Sequence, residues 1–305
     1  MTDRDRIRVE VAGRTIEVSR PDKVLFPGDG ITKADLVDHY ARIADVMLPH
    51  VRDRPVAMKR FPEGIRGQMF FQKQVPEHFP DWIPRSKVET EEKGTQEHVV
   101  IGDGATLAYL AEQACIEPHT WLSRKDRLDH PDQMIFDLDP SGGDVDVVRD
   151  CARRLRDALE GVGLDTFLKT SGSKGFHVVV PLDRAADFDT VRTFARGVAR
   201  VVASRDPDRF TTEQRKGKRR GRVYIDVMRN AYLQTAIPPY AVRALPGAPV
   251  ATPLDWEELG RVEPQTYTMG NLFRRLAQRE DPWKDMERRA HSIRDPEDLL
   301  AKLPD

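Results

Sequence analysis

The stretch MIFDLDP at residues 134–140 joins an apolar strand to two carboxylates. Side chains alternate across a β-strand, so Asp137 and Asp139 lie on the same face, about 7 Å apart along it. Two like charges on one face raise each other's pKa, and burial raises both further. A divalent cation such as Mg²⁺ or Mn²⁺, bound together with phosphate oxygens, would compensate both charges. The alternative is that the strand ends here and both carboxylates are solvated in a turn before Pro140.

The composition indicates a soluble, charge-rich globular protein. The chain has 305 residues, 39% of them hydrophobic and 32% charged, which is enough for one large domain or two small ones. The sequence contains neither an apolar run long enough to span a membrane nor a secretory signal, so we expect a cytoplasmic protein with no membrane partner. Cys115 and Cys151 provide no disulfide framework or zinc cluster. The net charge of −1 means that a nucleic-acid site would require local clusters of Lys and Arg.

The spacing of apolar residues predicts a mixed α/β protein. Residues 7–18 alternate around Gly13 and predict a hairpin, and Thr32 with Asp35 predicts the N-cap of a helix. Residues 85–94 are expected to form an exposed hairpin or loop. Further strands are predicted at 55–60, 68–73, 165–170, 176–181 and 222–227. Further helices are predicted at 105–116, 144–160, 189–204, 269–279 and 296–302.

A third carboxylate, Asp226, ends a second apolar strand. Three carboxylates brought together are what a two-metal centre requires, with one ion activating a hydroxyl and the other holding a leaving phosphate. Considered alone, Asp226 is more often an ordinary solvated residue at a strand end. Together with Asp137 and Asp139 it predicts a metal site.

The loop TSGSKGFH at residues 170–177 lies between two predicted strands. Small residues allow backbone N–H groups to approach a ligand, and hydroxyls with a Lys can bind phosphate oxygens. The loop is not a P-loop, because the Gly-x4-Gly-Lys-Ser/Thr order is missing. It predicts a phosphate site, with a glycine-rich hairpin turn as the alternative.

Two other segments suit contact with nucleic acid. A run of Lys and Arg at 215–222 precedes Asp226 and could bind phosphates, although such runs are most often mobile solvated loops. Phe70 and Phe71 suit a base-stacking platform, although core packing is the default for a Phe pair. His119 beside Trp121, viewed alone, is more often structural than catalytic.

Together these features resemble the polymerase domain of bacterial ligase D, a branch of the archaeo-eukaryotic primase superfamily that serves non-homologous end joining. The motifs that carry the resemblance are PDKVLFP (21–27), RPVAMKRFP (54–62), FFQK (70–73), FDLDP (136–140), TSGSKGFHVVVPL (170–182) and the strand that ends in Asp226. The resemblance implies an α/β fold of the α+β type, with an RRM-like antiparallel catalytic sheet and a packed N-terminal lobe. It implies one domain over 1–305, comprising a lobe at about 1–120, a catalytic core at about 121–250 and a C-terminal helical segment at about 251–305.

The resemblance also implies roles for individual residues. The catalytic metal ligands would be Asp137, Asp139 and Asp226, holding two Mn²⁺ or Mg²⁺ ions. The nucleoside triphosphate would be bound by Lys59, His119, Ser171, Lys174, His177 and Arg219, with Arg243 near the active centre. Phe70 and Phe71 would stack on the template or on the end of the break.

A pocket for the 5′-phosphate on the far side of a gap is implied at Lys23 and Lys33. Lys33 also lies in the first turn of the helix capped by Thr32, where N–H groups without partners and the helix dipole favour a phosphate. The family often has Asn where this chain has Arg20, so a different pocket geometry is expected.

The implied function is template-directed nucleotidyl transfer that fills gaps and extends ends in DNA break repair, with a preference for ribonucleotides and Mn²⁺. The sequence contains no Lys-x-Asp-Gly ligase motif and no His-rich phosphoesterase segment. We therefore expect a stand-alone polymerase or an excised domain. Its expected partners are 5′-phosphorylated DNA, nucleoside triphosphates, a Ku-type end-binding protein and a separate ATP-dependent DNA ligase.

Two other functions remain open from the sequence. A phosphohydrolase of the haloacid dehalogenase type also uses Asp-x-Asp, but it requires a parallel sheet and Gly-Thr or similar where this chain has Pro140-Ser141. A non-catalytic nucleic-acid binder would leave the three carboxylates unexplained, since their charge opposes binding to a phosphate backbone.

Overall fold

The computed structural model describes residues 6–90, 94–142 and 144–303, and the chain divides into two compact units. Unit 1 comprises Met1–Asp126, Thr235–Ala251 and Tyr267–Ala277, and unit 2 comprises Arg127–Gln234, Thr252–Thr266 and Gln278–Asp305. The C-terminal part of the chain is thus shared between the units and does not form one separate segment. Residues 91–93 of the predicted 85–94 hairpin or loop, and Gly143 before the predicted helix at 144–160, lie outside the described residues.

The helices and strands follow one another along both units. In chain order they are β1 (Arg6–Val11), β2 (Arg14–Ser19), β3 (Val24–Phe26), β4 (Ile31–Thr32), α1 (Lys33–Val51), β5 (Pro55–Arg60), β6 (Phe70–Gln72), β7 (Arg85–Thr90), β8 (Gly94–Val100), α2 (Gly104–Glu112), β9 (Cys115–Trp121), β10 (Gln133–Asp139), α3 (Val145–Glu160), β11 (Phe167–Thr170), β12 (Phe176–Pro181), α4 (Phe188–Arg205), β13 (Phe210–Thr211), β14 (Val223–Asp226), β15 (Thr235–Ala236), β16 (Pro253–Leu254), α5 (Leu272–Leu276) and α6 (Pro296–Ala301). No helix among these described residues is long and apolar enough to cross a membrane.

Unit 1 is built on a sheet with the strand order β15-β9-β5-β8-β7, and β6 also pairs with β5. Helix α1 begins with the predicted cap: the Thr32 hydroxyl accepts a hydrogen bond from the Asp35 N–H, and the Asp35 carboxylate accepts one from the Thr32 N–H. The apolar face of α1, including Tyr40, is buried and packs against α2. The Tyr40 hydroxyl donates to the Ile116 carbonyl at 2.7 Å, which ties α1 to β9.

The predicted helix at 105–116 is wrong in its last turn. Helix α2 ends at Glu112, and Ala114 has a φ of +55°, which a helix cannot accommodate. Residues Cys115–Trp121 form strand β9 instead. Its sequence contains Pro118, which argues against a central strand, but β15 pairs with β9 only at Thr120 and Trp121. At Pro118 the strand therefore has β5 as its one partner among the described strands.

Unit 2 contains a sheet with the strand order β13-β14-β10-β12-β11-β16. Every pair in it is antiparallel except β13 with β14. Helices α3 and α4 pack against this sheet and against each other. The predicted α+β class and the antiparallel catalytic sheet are confirmed. On β10 the side chains of Met134, Phe136 and Leu138 are fully buried, which leaves Asp137 and Asp139 on the opposite face.

Two buried histidines in unit 1 are expected to make the fold sensitive to acid. Burial lowers the pKa of both His39 and His98 to about 4, and nearby Arg42 and Lys73 add to the respective shifts. The unfolded chain takes up these protons first, so the free energy of unfolding falls as the pH drops from about 6.5 to 4, by up to about 3 kcal/mol per histidine. Urea unfolding across this range measures the slope.

The variant His98→Phe tests the contribution of one histidine. Neither ring nitrogen of His98 has a hydrogen-bond partner among the residues that the structure describes, and the ring packs edge-on against Trp121 at 5.8 Å, so a Phe ring can take its place. We expect a shallower loss of stability between pH 6.5 and 4, while substitution of the exposed His78 by Gln leaves the slope unchanged. An identical slope in His98→Phe and the wild type would contradict this assignment.

Candidate active site

One row of four side chains crosses the sheet of unit 2. In the strand register Lys169 pairs with His177, His177 pairs with Asp137, and Asp137 pairs with Asp226. Directly paired residues on neighbouring strands point to the same side of a sheet, so these four side chains share one face. Asp139 lies two residues further along β10 on that face. The structure thus brings the three predicted carboxylates to one face of two adjacent strands.

The electrostatics of Asp137 and Asp226 differ. Burial opposes ionisation of Asp137, but His177, whose Nε2 lies 3.3 Å from Oδ1, outweighs it together with positive charges nearby and lowers the pKa to about 2. Burial raises the pKa of Asp226, and the charge of Asp137 adds to this despite a 2.8 Å hydrogen bond from the Met228 N–H. The protein therefore stabilises the negative charge of Asp137 more than that of Asp226.

Asp139 has a cationic partner of its own. The Arg219 Nη1 donates to the Asp139 Oδ2 at 2.9 Å, and the guanidinium lies 4.0 Å from the ring centroid of Tyr224. The carbonyls of Glu213 and Gln214 also accept hydrogen bonds from Arg219. Arg219, which is predicted to bind nucleotide, is thus held by backbone carbonyls of its own loop. It also forms an ion pair with a carboxylate of the site.

The carboxylates suit a divalent cation by their chemistry. Among residues 6–90, 94–142 and 144–303, no three His, Cys, Asp or Glu side chains are arranged to bind one metal ion. Asp139 is instead paired with Arg219, and Asp137 with His177. Three carboxylates on one face are nevertheless the hard oxygen ligands that Mg²⁺ and Mn²⁺ prefer. The raised pKa of Asp226 beside Asp137 shows that a cation at this face would relieve repulsion.

The loop between β11 and β12 is shaped by its own side chains. The Ser171 hydroxyl oxygen accepts hydrogen bonds from the N–H groups of Ser173 and Gly175, both at 3.2 Å. A Cβ on Gly175 would lie 1.8 Å from the Leu138 carbonyl oxygen, so only glycine fits where the loop crosses β10. Lys174 is exposed, and with Ser173 it lines an open pocket of about 550 Å³. The loop thus presents an ammonium group beside the carboxylate row.

Three predicted nucleotide-binding residues of unit 1 surround one carboxylate. The Glu117 Oε2 lies 3.0 Å from the Lys59 Nζ and 2.9 Å from the His119 Nε2. The Oε1 accepts a hydrogen bond from the Ala244 N–H at 2.8 Å and lies 3.4 Å from the Arg243 Nε. We call Lys59, Glu117, His119 and Arg243 the Glu117 cluster.

The charge of Glu117 is strongly stabilised. Its side chain is 2% exposed, compared with 26% for Lys59, 19% for His119 and 16% for Arg243. Burial opposes its ionisation, but the hydrogen bond to His119 and the charges of Arg243 and Lys59 outweigh it and hold the pKa far below its usual range. Burial lowers the pKa of His119, against the attraction of Glu117. At neutral pH the cluster therefore has an ionised Glu117 and a neutral His119.

Phe70 and Phe71 are not core residues, so the default of core packing is wrong. They are 46% and 49% exposed on β6, which pairs with β5 alone among the described strands. Phe71 is paired with Lys59, and its ring meets His119 edge-on at 6.2 Å. Side chains alternate along β6, so Phe71 lies on the face of the Glu117 cluster and Phe70 on the other.

Lys23 and Lys33 each have a carboxylate partner. The Lys33 ammonium is buried, lies 3.1 Å from Glu112 Oε1 and donates to the Ser19 hydroxyl, and burial lowers its pKa. Lys23 lies 2.7 Å from the exposed Glu63. The expectation of unpaired N–H groups in the first turn of α1 is wrong. The N–H groups of Lys33 and of the next residue donate to the carbonyls of Lys23 and Pro21. The N–H group of Asp35 donates to the Thr32 hydroxyl.

Two other sequence features gain an explanation. Arg20 has a φ of +46°, a left-handed conformation that Asn adopts more readily than Arg. In the basic run, Arg222 donates to backbone carbonyls of its own loop, including that of Lys218. The rest of the run is exposed at Arg215, Lys216, Lys218 and Arg220.

Sequence reasoning did not single out Glu117 or Lys169. Both lie in strands, and cross-strand pairing brings Glu117 beside Lys59 and Lys169 beside His177. Lys169 is 1% exposed, an unusual burial for an ammonium group, and its charge lowers the pKa of Asp137. Alternation within CIEPHTW, which puts Glu117 and His119 on one face, was the signal that could have found Glu117.

Comparison with known proteins identifies relatives over most of the chain. The family described as LigD, primase-polymerase domain, matches residues 32–283. The multifunctional non-homologous end joining protein LigD of Mycolicibacterium smegmatis is 34% identical over 265 residues, which cover 86% of this chain and 34% of that protein. The bifunctional LigD of Bacillus subtilis is 31% identical over 271 residues, which cover 88% of this chain and 43% of that protein. The chain thus spans less than half the length of these relatives.

The solved structure of the polymerase domain from Mycobacterium tuberculosis ligase D, in complex with DNA, has the same fold. The TM-score is 0.84 at 33% identity, over 90% of this chain and 99% of that one. The family match, the sequence identity and the fold agree. The chain therefore belongs to the LigD primase-polymerase domain family, which makes it a DNA-directed nucleotidyltransferase.

Proposed function

We propose that this protein adds nucleotides to the 3′-hydroxyl of a primer strand at gaps and ends of broken DNA, copying a template and preferring ribonucleotides. The observation that supports this most directly is the row of Lys169, His177, Asp137 and Asp226, with Asp139 beside it. A face with three carboxylates, next to a glycine-rich loop that carries an exposed Lys, is the arrangement that metal-assisted nucleotidyl transfer needs. In this proposal, the phosphates that the carboxylate-bound metal ions and the loop would contact belong to nucleotides and DNA.

The carboxylates Asp137, Asp139 and Asp226 would hold two Mn²⁺ or Mg²⁺ ions. When bound, such ions lower the pKa of an attacking hydroxyl and stabilise a leaving pyrophosphate. His177 and Lys169 keep Asp137 ionised, which preserves it as a ligand. The exposed ammonium of Lys174, on the loop shaped by Ser171, binds phosphate oxygens of the incoming nucleotide.

Arg219 and the unit 1 residues complete the proposed substrate contacts. Arg219 is already oriented by carbonyl acceptors, so it can bind a phosphate without losing further side-chain freedom. Lys59, His119 and Arg243 bind the nucleotide, and Phe70 and Phe71 stack on exposed bases. We also propose a Ku-type end-binding protein and a separate ATP-dependent DNA ligase as partners, and a cytoplasmic, nucleoid-associated location.

The two alternatives are weaker. A haloacid dehalogenase-type phosphohydrolase requires a parallel Rossmann-like sheet, whereas β10 is antiparallel to both of its neighbours. A non-catalytic DNA binder would gain nothing from three carboxylates on one face, and the family is a polymerase family.

Primer extension on a gapped duplex with a 5′-phosphate tests the proposal. Ribonucleotides are compared with deoxyribonucleotides, and Mn²⁺ with Mg²⁺, at fixed salt. We expect template-dependent addition that requires a divalent ion and is faster with ribonucleotides. A matched assay with a simple phosphomonoester should show no turnover. Phosphomonoester hydrolysis without primer extension would overturn the proposal.

The 5′-phosphate pocket is tested at Lys23. We expect Lys23→Ala to weaken binding to gapped DNA with a 5′-phosphate about tenfold, since a charge-assisted hydrogen bond contributes about 1.5–3 kcal/mol. Binding to the same DNA with a 5′-hydroxyl should change little. Glu63→Gln, which removes the competing carboxylate, should tighten binding to the phosphorylated DNA. Equal losses on both DNAs in Lys23→Ala would instead indicate nonspecific charge attraction. Lys33→Ala is a poorer test, because it would leave Glu112 buried without its cation.

A further inference from the structure

We propose that Glu117 is a positioning residue for the nucleotide site. Its carboxylate fixes the separation of Lys59 and Arg243 and holds His119 in the tautomer that carries its proton on Nε2. This inference rests on the proposed nucleotide-binding role of those three residues and names the group that organises them.

The two oxygens of Glu117 have different partners. Oε2 accepts a hydrogen bond from Lys59 and lies 2.9 Å from the His119 Nε2, while Oε1 accepts one from the Ala244 N–H and forms an ion pair with Arg243. Each oxygen has one definite donor, the Lys59 ammonium on Oε2 and the Ala244 N–H on Oε1, so both oxygens must act as acceptors. An ionised carboxylate meets this requirement and an amide does not, because one end of an amide is itself a donor.

The backbone supports this arrangement. Glu117 pairs with Lys59 between β9 and β5, and Lys59 pairs with Phe71 between β5 and β6. His119 is two residues from Glu117 on the same face of β9. The register therefore forms a row that runs from the exposed Phe71 ring through Lys59 to the shielded carboxylate. The three side chains around the carboxylate, Lys59, His119 and Arg243, all remain partly exposed and can therefore also contact a ligand.

The contact with Glu117 decides what His119 offers to a ligand. A carboxylate that only accepts hydrogen bonds requires the proton of a neutral imidazole to be on Nε2. The other nitrogen, Nδ1, is then an acceptor, and the structure shows no hydrogen-bond partner for it within the described residues. Phosphate oxygens are acceptors as well. His119 would therefore meet a hydrogen-bond donor of the nucleotide, while Lys59 and Arg243 meet its phosphates.

The tautomer can be measured without any substitution. Nitrogen-15 NMR of histidine-labelled protein at pH 7, with His119 assigned from a His119→Gln variant, is expected to show a protonated Nε2 and a Nδ1 with a free lone pair. A protonated Nδ1, in either the other neutral tautomer or the imidazolium, would overturn the proposal. This result is independent of whether the protein extends primers.

Steady-state kinetics then test the consequence for the substrate. We expect Glu117→Gln to raise the KM for the nucleoside triphosphate about tenfold while kcat stays within about threefold, because uniform binding is lost and the carboxylates of unit 2 are untouched. The NMR signals of His119 should shift towards a mixture of tautomers. Glu117→Asp keeps the charge, so its KM should rise less than that of Glu117→Gln, and a larger fraction of His119 should carry its proton on Nε2. It serves as the test variant if Glu117→Gln fails to fold.

The matched control is Glu258→Gln, because Glu258 is 3% exposed and caps a turn of unit 2. It should lower thermal stability without changing KM or the His119 signals. If the wild type extends primers and both Glu117 variants keep its KM and its tautomer, this inference fails and the proposed function stands. If the wild type extends no primer, the proposed function fails and the tautomer still decides the role of Glu117.

Discussion

Substituting Asp137 by Asn is expected to lower the rate of primer extension about 10³-fold or more, because a metal ligand supplies several kcal/mol of transition-state stabilisation. Asp137 is the central residue of the row, paired on one side with His177 and on the other with Asp226. Asn keeps the shape of the side chain but loses the charge that His177 and Lys169 stabilise. Rapid-quench measurement of single-nucleotide addition gives the rate directly.

DNA binding by Asp137→Asn should be unchanged or slightly tighter. Removing a negative charge near phosphates does not weaken attraction to a polyanion. Asp157→Asn, at an exposed position on α3, serves as the control and should extend primers like the wild type. Near-normal extension by Asp137→Asn would exclude Asp137 as a metal ligand and with it the proposed centre.

Substituting Gly175 by Ala is expected to lower the free energy of unfolding by about 3 kcal/mol or more and to abolish primer extension. The added Cβ would lie 1.8 Å from the backbone oxygen of Leu138, and backbone atoms cannot move aside as a flexible side chain can. Relief requires β10 and the loop to separate, which moves Asp137 and Asp139 away from Ser171 and Lys174. Urea unfolding and primer extension measure the two effects.

Gly260→Ala provides the matched control within unit 2. A Cβ at Gly260 would meet the Arg153 Nη2 at 3.8 Å, which is an ordinary contact, and its backbone is not in the left-handed region. We expect normal extension and a change in stability of less than about 1 kcal/mol. Wild-type stability in Gly175→Ala would show that the loop does not need its close approach to β10.

Local patterns predicted most of the helices and strands. The cap at Thr32 and Asp35 set the start of α1, and the alternation in β10 set which face carries Asp137 and Asp139. Both features depend on residues within a few positions of each other, so they can be predicted from the sequence alone. Strand β9 was not predicted, because Pro118 and Glu117 are poor strand residues locally and pairing with β5 overrides that preference.

The resemblance to a known family supplied the candidate site residues in advance, but it did not describe their surroundings. Lys33 was expected to be available to a phosphate and is buried against Glu112. Phe70 and Phe71, for which core packing was the default, are exposed on an edge strand. Each outcome depends on which segments pack nearby, and neither can be read from the residues beside it in the chain.

By itself the sequence determined the mixed α/β class and the carboxylates at the ends of two strands, since alternation and residue chemistry are local properties. Only the tertiary structure decided which residues face one another. It placed Lys169 and His177 in one row with Asp137 and Asp226, and it put Glu117 beside Lys59, His119 and Arg243. The reason is that strand register joins residues far apart in the chain, and a shift of one residue would turn each of these side chains to the opposite face.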